Sequence, residues 1–473
     1  MKTLYWHDYE TWGTDPARDK VSQFAGVRTD ESLNIVGEPL MTYCKPAGDI
    51  LPHPMACLIT GITPQKALAE GVSEAEFAKL IHNELSQPGT CGVGYNSLRF
   101  DDNVSRNLFY RNFYDPYERE WKNGNSRWDI LDMVRLTYAL RPEGIEWPTK
   151  DDGSPSFKLE QLTVANGLIH EAAHDALSDV YATIDMAKLI RDKQPKLYEY
   201  AYNLRSKRAV QEKLNVAERK PFLHVSGKLP ASQGCTTLMV PLCWHPTNKN
   251  EVVAFDLQYD PEPLRQLDAD TLREKLYTPS SELAEGEQRI GLKNIRINMC
   301  PIIAPPPMLD AKAAQRLNID KSLCESNWQR IREWDLTAKM HNVFSDHREF
   351  EEADVETQLF NGFFGDDDKL NMGRIRQAGE SELSNQSFSF VDKRLPELFL
   401  RYKARNFPSA LTEEETMQWQ EFCYQKLTEP EAGYLGLEEY FIELDKLETE
   451  YQGQGDKLAI LEALRDYGDL LLA

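Results

Sequence analysis

The stretch Leu4-Tyr-Trp-His-Asp-Tyr-Glu-Thr-Trp-Gly13 decides what we expect of this chain. Its aromatic content predicts a short strand that ends in a turn at Gly13. Because successive side chains of a strand point to opposite faces, Asp8 and Glu10 emerge on the same face. Adjacent carboxylates repel each other unless a proton or a cation lies between them, and Mg²⁺ prefers such all-oxygen sites. Taken alone, the pair also fits a chance occurrence in an acidic chain.

The bulk composition is that of a globular protein. The chain has 473 residues, of which 41% are hydrophobic and 27% are charged. This length predicts two or three domains. No apolar run approaches the roughly 20 residues that span a bilayer, and the first residues lack the apolar core of a secretion signal. We therefore expect a soluble, cytoplasmic protein with no membrane partner.

The cysteines and the net charge limit the kinds of site. The eight cysteines are scattered without a Cys-x-x-Cys pair, which argues against a cysteine-based zinc site and against a disulfide framework. The formal charge of −22 argues against a polyanionic partner at first sight, although net charge says little about a local groove. A nucleic-acid enzyme of this composition would need a divalent metal and segregated basic patches.

Three regions differ in their patterns. Residues 1–195 alternate strand-like and helix-like runs, which is typical of an α/β domain with a mixed sheet. Residues 196–349 begin with a basic segment and continue with strands between Gly, Pro and Asn turns, as in a small barrel or sandwich. Residues 350–473 show the apolar spacing of helices. We therefore expect a multidomain α+β protein with three domains at these boundaries.

Some elements are predicted in more detail. The apolar spacing predicts one continuous helix from Leu323 to Asn342 and another from Val355 to Gly362. Four strands, of which the last is 291–299, form the barrel. The acidic runs at 349–356, 366–368 and 413–415 are interpreted as solvated faces and helix caps.

Three further polar residues extend the chemistry of the opening strand. Asp101 lies at a loop-to-helix junction, and His174 and Asp179 lie at the start of a predicted helix. Taken alone, each is better explained by helix capping. Together with Asp8 and Glu10, however, the carboxylates could hold two divalent ions about 3.5–4 Å apart, an arrangement that hydrolyses phosphodiesters.

The residues of this set would have distinct roles. Asp8 could bridge both ions, Glu10 and Asp179 could hold the ion that activates water, and Asp101 could hold the second ion. His174 could accept the proton of the attacking water, since the unperturbed pKa of histidine lies near neutral pH.

Several phrases of the chain resemble the bacterial exodeoxyribonuclease I family, which belongs to the exonuclease superfamily with an Asp-Glu-Asp-Asp core and a catalytic histidine. The matching phrases come from all three regions: Asp8-Tyr-Glu-Thr-Trp-Gly-Thr-Asp-Pro16, Gly94-Tyr-Asn-Ser-Leu-Arg-Phe-Asp-Asp102, Ala172-Ala-His-Asp-Ala-Leu-Ser-Asp-Val-Tyr-Ala-Thr183, His224-Val-Ser-Gly227, Cys243-Trp-His-Pro246, Asn361-Gly-Phe-Phe364, Val391-Asp-Lys-Arg-Leu395 and Tyr402-Lys-Ala-Arg-Asn-Phe-Pro408.

The resemblance covers essentially the whole chain. It implies an RNase H-like exonuclease domain, an SH3-like β-barrel domain and a C-terminal helical domain. It also implies a monomeric enzyme of DNA repair and recombination that removes 5′-mononucleotides processively from the 3′ end of single-stranded DNA. The cofactor would be Mg²⁺, two ions per site, with Mn²⁺ as a substitute. The catalytic set of the family falls on Asp8, Glu10, Asp101, His174 and Asp179.

Single-strand binding also needs cations and aromatic faces, since stacking contributes about 1–3 kcal/mol per base. The basic run 205–220 offers the cations, with Lys220 as the expected phosphate contact and an exposed helix face as the alternative. Trp12 and Phe100 flank the acidic residues and would either stack on the terminal bases or pack in the core. Glu10 would also contact the substrate.

A partner is implied by the resemblance as well. Arg141, Tyr200 and Arg316 match residues with which the family binds the acidic C-terminal tail of single-stranded DNA-binding protein. Ala338, next to Lys339, stands where that site has a further basic residue. Two alternatives remain open: an RNA exonuclease with the same carboxylate core, and a DNA-binding adaptor without catalysis.

Overall fold

The computed structural model describes residues 2–169, 175–279, 282, 289–345 and 353–472. The chain forms two compact units. The first unit consists of Met1–Ser126, His170–Tyr181 and Glu351–Ala473, and the second consists of Arg127–Ile169 and Ala182–Phe350.

The opening strand is the centre of the first sheet. Strand β1 (Thr3–Thr11) pairs with β2 (Val21–Thr29) antiparallel on one side and with β4 (Thr90–Gly94) parallel on the other. Strand β3 (Leu40–Tyr43) lies beyond β2, and β5 (Ser126–Asp129) completes the order β3-β2-β1-β4-β5. The sheet is therefore mixed, as predicted.

Seven α-helices are described between residues 54 and 193. They are α1 (Pro54–Thr60), α2 (Pro64–Glu70), α3 (Glu74–Leu85), α4 (Asp101–Arg111), α5 (Ile130–Leu140), α6 (Leu159–Ala165) and α7 (Ala176–Lys193). Helices α1 and α2 are additional to the prediction, although a proline in the first turn marks the start of each.

The second unit contains a five-stranded antiparallel sheet in the order β10-β6-β7-β8-β9. Its strands are β6 (Phe222–Val225), β7 (Thr236–Trp244), β8 (Glu251–Asp256), β9 (Leu292–Arg296) and β10 (Ile302–Ala304). The prediction of four strands missed β10, because this strand has only three residues and prolines on both sides.

Helices complete the second unit. They are α8 (Pro195–Asn203), α9 (Lys207–Lys213), α10 (Glu262–Gln266), α11 (Ala269–Tyr277), α12 (Ala311–Arg316), α13 (Lys321–Arg332) and α14 (Thr337–Phe344). The prediction of one helix from Leu323 to Asn342 is wrong, since α13 ends before α14 begins. The guanidinium of Arg219 donates to the carbonyls of Ile331 and Trp334, and these bonds stabilise the end of α13.

The C-terminal region is helical. A 3₁₀ helix at Val355–Phe360 replaces the predicted α-helix, and the α-helices are α15 (Asp366–Gln377), α16 (Glu380–Asn385), α17 (Leu395–Asn406), α18 (Glu413–Thr428), α19 (Leu437–Glu450) and α20 (Gly455–Leu472). None of the helices among the described residues is both long and apolar enough to cross a membrane. The eight cysteines, all of them described, are free thiols.

The C-terminal helices share hydrophobic cores with the N-terminal region of the first unit. One cluster joins Trp12 and Tyr43 to Tyr440 and Leu464. These residues have at most 7% of their surface exposed, so α19 and α20 complete a core that the N-terminal region alone would leave open.

Two acidic residues correct the interpretation of the acidic runs as solvated faces. Glu356 is 1% exposed and accepts from the ammonium of Lys20 at 2.5 Å. Asp368 is 2% exposed and accepts the backbone N–H groups of Val391 and Asp392 at 2.9 and 3.0 Å. Burial of both is possible because other segments supply partners, the ammonium of Lys20 for Glu356 and backbone N–H groups for Asp368.

Candidate active site

Three carboxylates of the first unit converge. Asp8 and Glu10 alternate along β1, and Asp179 lies in the first turn of α7. One carboxylate oxygen from each lies within 4.8 Å of the others, and all three residues are half-buried. The structure thus brings together residues from opposite ends of the predicted exonuclease domain.

Strand β1 also positions the fourth carboxylate. Asp101 is the first residue of α4 and is 2% exposed. The backbone N–H of Tyr9 donates to Asp101 Oδ1 at 3.2 Å. The Tyr9 hydroxyl lies 2.9 Å from Ser105 Oγ, one turn further along α4. Tyr9 therefore contacts α4 at two points, in its first turn and one turn further along.

The electrostatics of the cluster indicate a cation site. Burial and then the negative charges of Asp101, Glu10 and Asp179 raise the pKa of Asp8 well above its ordinary value. Burial and then Asp179 and Asp101 raise the pKa of Glu10 to about 8. A bound cation would relieve this repulsion, and a donor set of carboxylate oxygens fits a hard divalent ion such as Mg²⁺.

The predicted general base, His174, lies outside the described residues. Its neighbour Asp175 is described and caps α7, since its Oδ2 accepts from the N–H of Ser178 at 3.2 Å. The role of His174 therefore stays a prediction.

Asp102, the residue after Asp101, forms a buried ion pair with Arg119. Arg119 donates to Asp102 at 2.7 Å, and the two side chains are 1% and 3% exposed. Burial and then the charge of Arg119 lower the pKa of His7 to about 4, so this histidine next to Asp8 is neutral. Sequence reasoning missed Arg119, because no local pattern distinguishes it from a surface arginine.

The two aromatic candidates differ in burial. Trp12 is 2% exposed and belongs to the hydrophobic cluster described above, which favours packing over stacking. Phe100 is half-buried and precedes Asp101 directly. Its stacking role stays a prediction.

The basic run of the second unit is largely engaged within the protein. Lys220 is exposed and lies 2.5 Å from Glu218, and Arg208 pairs with Glu212 at 2.8 Å. Arg219 binds backbone carbonyls, as noted above. The run is thus a mixture of exposed and structural cations, and Lys220 is one of the exposed ones.

Two of the predicted partner-binding residues meet at the end of one helix. Arg141 is the C-cap of α5, and the guanidinium of Arg316 donates to the carbonyls of Tyr138 and Ala139 at 2.8 Å. Tyr200 donates to the carbonyl of Ile303 at 2.6 Å.

Lys339 is engaged within the protein and does not replace the basic residue that is missing at position 338 of the predicted partner site. Its ammonium donates to the carbonyls of Leu264, Arg265 and Leu267 at 2.9–3.0 Å, so it serves as a cap for α10.

Comparison with known proteins agrees with this architecture. Three family models match the chain: "Exonuclease" at residues 5–186, "Exonuclease I SH3-like domain" at 205–346 and "Exonuclease I C-terminal domain" at 353–471. Exodeoxyribonuclease I of Haemophilus influenzae is 46% identical over 473 residues, which cover 99% of both chains. Exodeoxyribonuclease I of Escherichia coli is 47% identical over 471 residues, which cover 99% of this chain and 98% of the relative.

Solved structures give the same result. E. coli Exonuclease I in complex with a dA16 oligonucleotide matches with a TM-score of 0.96 and 46% identity, and the match covers 100% of both chains. Exonuclease I from Methylocaldum szegediense matches with a TM-score of 0.96 and 48% identity, again over 100% of both chains. These matches define a class of nucleases in which an exonuclease domain is followed by an SH3-like domain and a C-terminal domain. The chain belongs to the exonuclease I family.

Proposed function

We propose that this protein is a processive 3′–5′ exonuclease that degrades single-stranded DNA to 5′-mononucleotides. The observation that carries the proposal is the convergence of Asp8, Glu10 and Asp179 beside Asp101 in the first unit. The relatives named exodeoxyribonuclease I, one of them solved with a dA16 oligonucleotide, support the choice of substrate.

The proposed cofactor is Mg²⁺, two ions per site, with Mn²⁺ as a substitute. Asp8, Glu10, Asp101 and Asp179 would hold the metal, which when bound neutralises charge on the attacking and leaving oxygens of the phosphodiester. A zinc-bound form is known of the E. coli ExoI–DNA complex, which supports a divalent ion. His174 would accept the proton of the attacking water.

The proposal extends to binding residues and to the organisation of the chain. Glu10, Phe100 and Lys220 would contact the DNA, and Trp12 would support the site by packing. Domain boundaries near 195 and 350 are supported by the ends of the matched family models. We place the protein in the cytoplasm, as a monomer that acts in DNA repair and recombination.

Arg141, Tyr200 and Arg316 would bind the C-terminal tail of single-stranded DNA-binding protein. A solved complex of SSB and Exonuclease I supports this partner. Without a basic residue at position 338, we expect weaker binding of the tail than a site with that residue would show.

Degradation of end-labelled oligonucleotides tests the function. We would follow single-stranded DNA, duplex DNA and single-stranded RNA of one sequence, with Mg²⁺ or with chelator, and add excess unlabelled strand as a trap after binding. We expect 5′-mononucleotides from the 3′ end of single-stranded DNA only, and removal of many nucleotides from each strand in one binding event. Faster turnover of RNA than of single-stranded DNA would refute the proposal in favour of an RNA exonuclease. Binding of DNA without any metal-dependent cleavage would refute it in favour of a non-catalytic adaptor.

A further inference from the structure

A buried glutamine faces the carboxylate cluster from the neighbouring strand. Gln23 lies on β2 directly opposite Glu10 in the β1–β2 register. Directly opposed residues of paired strands point to the same face, so Gln23 lies on the face that carries Asp8 and Glu10. Its exposed fraction is 1%.

The amide of Gln23 contacts the start of the helix that carries Asp179. Its Nε2 lies 3.4 Å from Asp175 Oδ1 as a donor, and its Oε1 accepts from the N–H of Ala176 at 3.4 Å. The N–H of Asp179 in turn donates to the carbonyl of Asp175 at 3.0 Å. A short path of hydrogen bonds thus leads from β2 through the cap of α7 to a metal-ligating residue.

The chemistry of this position explains why an amide stands there. Asp175 is a fifth carboxylate close to the cluster, and its charge contributes to the raised pKa values of Asp8 and Glu10. A glutamate at position 23 would add a sixth carboxyl group to this crowded site, and an aliphatic residue would remove both contacts with α7. Glutamine is neutral and provides a donor for Asp175 together with an acceptor for Ala176.

We propose that Gln23 is a positioning residue for the metal site: it fixes the start of α7 against β2 and thereby keeps Asp179 within reach of Asp8 and Glu10. The inference rests on the proposed metal-dependent nuclease. Replacing a residue that orients a metal ligand typically lowers metal affinity or activity by about 10–100-fold.

Metal binding by the full chain tests this role without reference to catalysis. We would measure Mg²⁺ and Mn²⁺ affinity by calorimetry in the absence of DNA, for the wild type, Gln23→Leu and Gln23→Asn. The asparagine retains the amide but is shorter by one methylene group, so it cannot reach α7 in the same way. For both variants we expect a metal affinity lower by ~10–100-fold and a turnover that partly recovers at high Mg²⁺.

Gln258→Leu is the matched control, because Gln258 also donates a side-chain hydrogen bond, to Thr237 at 3.3 Å in the second unit. We expect this control to keep the metal affinity of the wild type. Folded Gln23 variants with wild-type metal affinity and turnover would overturn the inference. Failure of both to fold would assign Gln23 to the stability of the sheet and would overturn it too. A wild type that binds metal but cleaves nothing would refute the proposed function alone.

Discussion

At the scale of single residues, the carboxylate cluster brings like charges together at a cost in stability, which a bound divalent ion would offset. Asp8 is held among negative charges, and burial adds to the cost of its ionisation. Replacing Asp8 by asparagine should therefore abolish cleavage and raise the free energy of unfolding of the metal-free protein. Saturating Mg²⁺, which at about 100 times its Kd adds about 2.7 kcal/mol to the wild type, should add almost nothing to the variant.

Thermal unfolding with Mg²⁺ and with chelator checks this prediction. Asp192→Asn is the control, since Asp192 is an exposed aspartate of α7 with 68% of its side chain accessible. A metal-dependent stabilisation that survives in Asp8→Asn would remove Asp8 from the metal site.

His174 offers a second test at this scale. If this histidine accepts the proton of the attacking water, His174→Ala should lower the turnover by on the order of 10²–10⁴ and remove the pH dependence near neutral pH. Metal affinity should stay unchanged, which separates proton transfer from metal binding. The measurement is the pH–rate profile on single-stranded DNA, and near-full turnover of the variant would contradict the assignment.

A buried histidine of the second unit determines part of the acid stability. His224 is 3% exposed, and its Nδ1 lies 2.9 Å from the carbonyl oxygen of Ile302. Burial, and next the charge of Lys293, lower its pKa to about 3. The unfolded chain binds the proton near pH 6.5, so the contribution is complete above that pH and is lost as the pH falls towards 3.

We expect the free energy of unfolding of the wild type to fall by about 1.4 kcal/mol per pH unit in this range because of His224 alone. His224→Gln should flatten the loss, and His341→Gln serves as the comparison. Denaturant unfolding between pH 6.5 and 4 is the measurement. Parallel pH curves for the wild type and His224→Gln would contradict the prediction.

At the scale of elements, a buried ionic network joins the C-terminal helices to the N-terminal region. Arg405 of α17 donates to Asp49 at 2.7 Å and also to Glu356. Lys426 of α18 donates to Asp49 at 2.8 Å. Although burial raises the pKa of Glu356, the charges of Arg405 and Lys20 hold it well below its usual range.

Removing one charge from this buried network should lower the free energy of unfolding. Glu356→Gln leaves the ammonium of Lys20 buried without its counter-charge and leaves Arg405 with Asp49, which Lys426 shares. We expect a loss of about 3–5 kcal/mol in the free energy of unfolding. Glu212→Gln breaks the exposed ion pair with Arg208. This substitution should change the free energy of unfolding by about 0.5 kcal/mol or less. Urea unfolding of both variants provides the test, and equal effects would contradict the structural role of the network.

At the scale of the whole molecule, the C-terminal helices are part of the stability of the first unit. They cover the cluster around Trp12 and Tyr43 and supply the partners of Lys20 and Asp49. We therefore expect the fragment 1–349 to lose cooperative unfolding and to aggregate, while the full chain unfolds cooperatively. Circular dichroism and sedimentation would show this, and a soluble fragment with full-length stability would contradict it.

Local patterns in the sequence determined much of the chemistry. The alternation of β1 places Asp8 and Glu10 on one face, because this alternation follows from strand geometry alone. Most strands and helices were predictable from the spacing of apolar residues, and the family phrases indicated the class of enzyme. The break between α13 and α14 was not predicted, and the Arg219 contacts that stabilise the end of α13 come from a distant segment that local apolar spacing does not reveal.

Tertiary structure alone decided which charges meet. The approach of Asp179 to β1, the bond from Tyr9 to Asp101 and the contact of Gln23 with α7 join segments far apart in the chain. No local pattern encodes such pairs, because they depend on how packing removes each group from water and which partner it then meets. For the same reason Glu356 looked like a surface acid in sequence and is a buried ion-pair residue in the fold.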